Sequence, residues 1–184
     1  MIFAVIFVAL IVFYVIAVYN TLVVKRNSIE NTFGAIDVML KKRYDLVPNL
    51  VASVQKYAKH EESLFSKVTE MRSKQYGMLS ENEKAEFDGA FTQASRRFFA
   101  VAENYPELKA SDNFLQLQRS LNETEEQLAA ARRTYNASVV DYNNAVMTFP
   151  SSLIAGMFHF SKKNVLETLA EERVNPDVNK LFNS

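Results

Sequence analysis

The residues best suited to chemistry in this sequence are His60, Glu61 and Glu62, a histidine followed by two carboxylates. A zinc-hydrolase helix carries two histidines four residues apart, with a glutamate between them as general base. Position 64 is Leu, so the second ligand is missing. His159 is the only other histidine and there is no cysteine, which excludes thiolate metal sites, thiol nucleophiles and disulfides. A carboxylate-bridged di-iron centre in a helical bundle takes Glu-x-x-His pairs on facing helices. The residues three before the two histidines are Tyr57 and Gly156, so no such pair exists. Four glycines in all leave no glycine-rich phosphate loop. No serine or lysine stands in a nucleophile-and-base pattern. Asn122-Glu123-Thr124 and Asn136-Ala137-Ser138 fit a glycosylation sequon by chance within long helices. His60 reads as a solvated helix-face residue. The sequence therefore offers no catalytic, cofactor-binding or metal-ligating residues, and no cofactor is expected.

The elements that would position any site begin with an apolar run. From Met1 to Val18 no residue is charged, and Lys25 and Arg26 close the stretch. About 17–25 apolar residues rising ~1.5 Å each cross one hydrocarbon core. A cleaved signal peptide fits less well, because no Lys or Arg precedes the run, its apolar core is longer than 7–15 residues, and Val15-Ile16-Ala17 is a poor cleavage context. Residues 1–24 are expected to be a transmembrane anchor. Lys25, Arg26, Lys41, Lys42 and Arg43 all lie on its C-terminal flank, so the positive-inside rule places the N-terminus out and the remainder in the cytoplasm.

Beyond the anchor the sequence predicts an all-α fold, an up-and-down antiparallel four-helix bundle over residues 25–160. Ile29, Phe33, Ile36 and Leu40 continue the anchor at helical spacing, and Asp45-Leu46-Val47-Pro48 is expected to end this first helix near Tyr44. The second helix is expected to start at Pro48, with Leu50, Val54, Tyr57, Glu61, Leu64, Val68 and Met71 on one seam, Glu61 its single polar interruption, as far as Gln75-Tyr76-Gly77. Ser80 and Glu83 form a capping box for the third, which carries Phe87, Phe91, Ala94, Phe98 and Val101 to about Tyr105-Pro106. The fourth starts at Ser111 or Asp112. Phe114, Leu121, Leu128, Tyr135, Tyr142 and Phe149 recur every seven residues, and Pro150 ends it. Leu153 to Phe160 is an apolar cluster. In residues 161–184 a short helix capped by Asn164 and a frayed tail are expected.

Two surfaces stand out. Lys41, Lys42, Arg43, Tyr44, Asp45 and Asn49 would sit at the membrane-distal turn, beside a second turn with Tyr105, Glu107 and Lys109. Together they form a candidate partner-docking surface; the alternative is a solvated helix end with cations near the C-terminal dipole. An up-and-down bundle returns its fourth helix to the bilayer, so Tyr19, Leu153, Ile154, Met157, Phe158 and Phe160 are candidate membrane-interface residues. Their alternative is a satellite core patch under the bundle. Asn20, Asn31, Asn136 and Asn144 recur within helices, where asparagine is a poor former, and are expected to make register-fixing interhelical hydrogen bonds.

The segments YNTLVVKRNSIENTFGAIDVMLKKRYDLVPNLV (19–51), VAENYPELKASDNFLQLQ (101–118) and TEEQLAAARRTYNASVVDYNNAVMTFP (124–150) resemble hallmark blocks of the bacterial LemA family. The resemblance runs from the anchor to about Phe160. Phe33 departs from it, standing where many relatives have tryptophan. The resemblance implies a membrane-anchored helical bundle of the cell envelope or, in some bacteria, of a specialised organelle membrane, and it carries over no catalytic residues.

The expected function is that of a single-pass adaptor or scaffold of the bacterial inner membrane. Its expected partners are the lipid bilayer, other membrane-associated proteins and further copies of itself. The 21 basic and 21 acidic residues cancel, so nucleic acid is not expected as a partner. The alternatives are membrane remodelling or organelle-membrane biogenesis and, less favoured by composition, a metal-handling or hydrolytic enzyme with a site inside the bundle.

Overall fold

The computed structural model describes residues 1–57, 62–73 and 75–166. All regular structure among them is helical: α1 Ile2–Tyr57, α2 Glu62–Ser73, a 3₁₀ turn Tyr76–Met78, α3 Glu81–Ala102, α4 Pro106–Lys109, α5 Asp112–Met147 and α6 Ser151–Met157. The chain divides into two compact units. One is Asn31–Arg133; the other is Met1–Glu30 with Thr134–Ser184, of which 167–184 lie outside the described residues.

The helix expected to stop near Tyr44 does not stop there. α1 continues through Pro48 to Tyr57, so proline sits inside it. Proline removes one rung of the hydrogen-bond ladder. What offsets that loss is the buried stripe: Ile36, Leu40, Val47, Leu50 and Val51 are all buried and stay in register across Pro48. Burying an aliphatic side chain is worth about 1.5–3 kcal/mol, so the three after Tyr44 outweigh one missing bond. The turn expected at 45–48 is therefore absent, and α1 is helical as far as Tyr57.

Within Asn31–Arg133 the core joins Val47, Leu50 and Val51 of that stripe to Leu64, Val68 and Met71 of α2, Phe87, Phe91, Ala94, Phe98 and Ala102 of α3, Leu108 of α4, and Phe114, Leu117 and Leu121 of α5. α3 begins as its sequence dictates. The Ser80 hydroxyl accepts from the Glu83 amide while the Glu83 carboxylate accepts from the Ser80 amide. Ser111 Oγ accepts from the Phe114 amide and so caps α5.

In the other unit, Ile29 packs with Val139 and Tyr142 of α5, flanked by Tyr135, Val146 and Phe160. Along the α5 heptad register Phe114, Leu121, Leu128 and Tyr142 are buried and Tyr135 is half-buried, and the pattern ends there, since Phe149 is 75% exposed. The first eighteen residues contrast with everything else. None is buried, and phenylalanines, isoleucines and valines lie bare along α1. This segment is long and apolar enough to cross a membrane.

α6 closes with a Schellman motif. The Phe160 amide donates to the Ala155 carbonyl and the His159 amide to that of Gly156, with His159 in the left-handed region at φ 57°. His159 is thus a helix-terminating residue. The helix expected from Asn164 is not seen at its start, because 161–166 are not helical; its remainder lies outside the described residues, as does His60.

Candidate functional site

Of the residues expected to form a charged knob, Arg43 is buried, Tyr44 and Tyr105 are half-buried, and the others are exposed. Arg43 falls on the buried α1 stripe and is 3% exposed. Its guanidinium pairs with Asp88 of α3 and Glu125 of α5, donates to Thr92 Oγ1 at 3.2 Å, and lies 5.5 Å from the Phe91 ring centre. Asp88, itself buried, takes Arg43 on one oxygen and Arg132 on the other. Burial pulls the Arg43 guanidinium below its ordinary pKa while the Asp88 charge pulls it back up. Tyr44 is packed too, its ring 5.6 Å from those of Tyr76 and Phe87. The exposed members have local partners: Lys41 pairs with Asp45, Lys42 donates to Gln127, and Lys109 pairs with Glu103. Tyr105 leans on the core through α4, leaving Glu107 exposed. Because α1 runs on past Pro48, these residues lie along a continuous helix and not at a turn, with Arg43 and Tyr44 packed into the unit.

Asn49 belongs to a different feature. With Ala52 and Ser53 of α1 it faces Asn113, Gln116, Leu117 and Ser120 of α5 across an open groove of about 330 Å³. The lining is mostly polar, with Ala52 and the buried Leu117 as its apolar members. Small side chains on both helices leave the seam unfilled here, whereas elsewhere in the unit phenylalanines and leucines close it.

The apolar cluster at 153–160 splits along the helical period. Ile154 and Ala155 are buried, which removes Ile154 from the membrane-interface set. Leu153, Met157 and Phe158 are exposed. Tyr19, at the end of the apolar run, stacks edge-on with Phe158 at 4.9 Å and with Phe160 at 5.7 Å. Arg26 lies 5.8 Å from the Phe160 ring centre, and Lys25 pairs with Asp141.

Of Asn20, Asn31, Asn136 and Asn144, expected to make interhelical hydrogen bonds, Asn136 bonds instead to a non-helical segment, and its counterpart there is Asn143. Each makes two hydrogen bonds to the main chain of residues 161–166, Asn136 with Leu166 and Asn143 with Lys163. Their seven-residue spacing was the available signal. Arg43 had one as well, its place in the 36–40–43–47–50 stripe. Among the described residues no three histidine or carboxylate side chains gather as a metal set would require.

A family model described as LemA family matches residues 32–179. The chain is 26% identical to Protein LemA of Metamycoplasma hominis over 165 residues, covering 89% of this chain and 75% of that protein. It is 26% identical to Magnetosome protein MamQ of Magnetospirillum gryphiswaldense over 170 residues, covering 78% of this chain and 62% of that protein. Magnetosome protein MamQ 1 of Paramagnetospirillum magneticum is 28% identical with the same coverage. The chain spans less than two thirds of the length of these magnetosome relatives.

Proposed function

The chain belongs to the LemA family, and on that premise we propose that it is a single-pass membrane scaffold that docks other membrane-associated proteins and catalyses no reaction. The apolar start of α1 anchors it. The rest is read as an up-and-down four-helix bundle of α1, α2, α3 and α5 held on the cytoplasmic face of the inner membrane, with the magnetosome relatives keeping a specialised compartment membrane as the alternative location. The domains follow as residues 1–24, 25–160 and 161–184.

The observation that carries the docking role is the groove between Asn49–Ser53 and Asn113–Ser120. An unfilled seam of mostly polar side chains with Ala52 and Leu117 as apolar members suits a partner's helix or loop, offering hydrogen bonds at the rim and a small apolar patch. A photocrosslinking amino acid at Gln116, in membranes of the producing cell, should give one discrete heavier product, and the same probe at Glu126 outside the groove should not. Equal product patterns from the two positions would remove the groove from the proposal.

A second reading, membrane remodelling or organelle-membrane biogenesis, is favoured by one contact. The Tyr19–Phe158 stacking holds exposed Leu153, Met157 and Phe158 at the end of the apolar span, where aromatic rings prefer the headgroup level. The chain has no tryptophan, so Phe158→Trp gives a single reporter. Strong quenching by lipids brominated near the headgroup supports interfacial contact; emission at a water-exposed wavelength without quenching rejects it.

A further inference from the structure

Residues 161–166 run in the direction opposite to α5 and are held by side chains that read only the main chain. Asn143 Nδ2 donates to the Lys163 carbonyl at 2.8 Å, and the Lys163 amide donates to Asn143 Oδ1 at 2.9 Å. One heptad back, Asn136 Nδ2 donates to the Leu166 carbonyl at 3.0 Å and the Leu166 amide to Asn136 Oδ1 at 2.8 Å. The Tyr142 hydroxyl donates to the Ser161 carbonyl at 3.1 Å. Each carboxamide thus satisfies both polar groups of one peptide residue, as a neighbouring strand would.

The spacing fits extended chain. Seven helical residues rise ~10.5 Å, and three residues of extended chain cover ~10 Å. Two asparagines one heptad apart therefore meet every third residue of an extended peptide. The side chains of 161–165 are all exposed. What is recognised is the backbone, not the sequence.

We propose that Asn136 and Asn143 form a binding site for extended polypeptide main chain, with the chain's own segment 161–166 as its resident ligand. The ligand class is a peptide of about six residues, of permissive sequence, that carries an N–H at two positions three apart. Proline at either position is excluded, because it has no N–H to give. The resident segment also sets availability: an outside peptide binds only to the fraction of molecules whose own segment is released, so its apparent affinity falls by that fraction.

The test uses the full chain in lipid nanodiscs and a fluorescein-labelled, end-blocked peptide with the sequence of residues 160–166. Lys163→Pro with Leu166→Pro disables the resident segment and leaves both asparagines. This variant should bind the peptide at least tenfold more tightly than the parent chain. Adding Asn136→Ala and Asn143→Ala should abolish that binding. A peptide with residues 161–165 shuffled should bind equally well, and one with proline at the two clamped positions should not bind. Amide exchange on the parent chain provides a check independent of the proline variant: Lys163 and Leu166 should be protected, and Asn136→Ala with Asn143→Ala should remove their protection while sparing Val139. Absence of peptide binding in a folded proline variant, binding that survives loss of both asparagines, or unprotected Lys163 and Leu166 amides would each overturn the proposal.

Discussion

Removing the Asp88 carboxylate should be the most damaging single surgery on the polar interior. Asp88→Ala deletes the group that neutralises Arg43, whose side chain is 3% exposed, and frees Arg132, which is 29% exposed. Arg43 would keep the Glu125 carboxylate, itself half solvated, the Thr92 hydroxyl and the face of Phe91. Breaking a buried pair costs about 3–5 kcal/mol because the surviving charge stays desolvated. Partial compensation by Glu125 puts this case near the lower end, about 3 kcal/mol. For a chain of this size that corresponds to a fall in Tm of roughly 6–12 °C. Thermal unfolding of the full chain at fixed detergent concentration, followed by helical circular dichroism, measures it, and urea titration with an unchanged slope confirms that stability alone has moved. Replacing both charges, Arg43→Met with Asp88→Leu, should recover most of the loss, since a packed apolar pair needs no neutralisation. If Asp88→Ala costs less than about 1 kcal/mol, the value typical of an exposed pair, the cluster is solvated and the reasoning fails.

Further outcomes follow from single residues. Asp37 accepts from Lys84 Nζ at 2.7 Å and from the Tyr76 hydroxyl at 2.8 Å, and the Lys84 hydrogen bond chiefly holds its pKa below the ordinary 3.8. A depressed carboxylate stabilises the fold above its unfolded pKa and loses that contribution as pH falls through the folded one. Stability of the parent chain should therefore drop more steeply below about pH 3.8 than that of Asp37→Asn in acid-limb unfolding curves. His159→Gly should raise stability by about 1 kcal/mol by relieving the left-handed backbone at the end of α6, and His159→Val should lower it in the same melts. Phe98→Ala, at a fully buried ring meeting Phe99 and Phe114, should cost about 3–5 kcal/mol.

Periodicity made much of the architecture legible before any coordinates. The heptads from Phe114 to Tyr142, the α3 face from Phe87 to Phe98 and the Ser80–Glu83 box all appear where their spacing puts them. Local rules failed where tertiary burial outweighed them. Pro48 looked like a helix stop, yet Val47, Leu50 and Val51 gain enough by burial to carry α1 past it. Arg43 looked like a surface cation because its neighbours Lys41 and Lys42 are, and its partner Asp88 lies 45 residues away in sequence. The candidate site was less legible than the fold. The groove at Asn49 exists because side chains on two distant helices are small, and no pattern within either helix announces that. The clamp needed Asn143 rather than its neighbour Asn144, a difference of 100° around the helix that only the place of the 161–166 segment decides.

The central claim is that an apolar first helix anchors a helical scaffold on the cytoplasmic side of a membrane. The absence of cysteine makes it directly measurable. Lys109→Cys places a single thiol at an exposed position of α4, and cells are treated with a membrane-impermeant maleimide intact and again after lysis. The account predicts a protein that stays with the membrane through alkaline carbonate and is labelled only after lysis. Release by carbonate would contradict the anchor, and labelling of intact cells would contradict the orientation and move the search for partners outside the membrane.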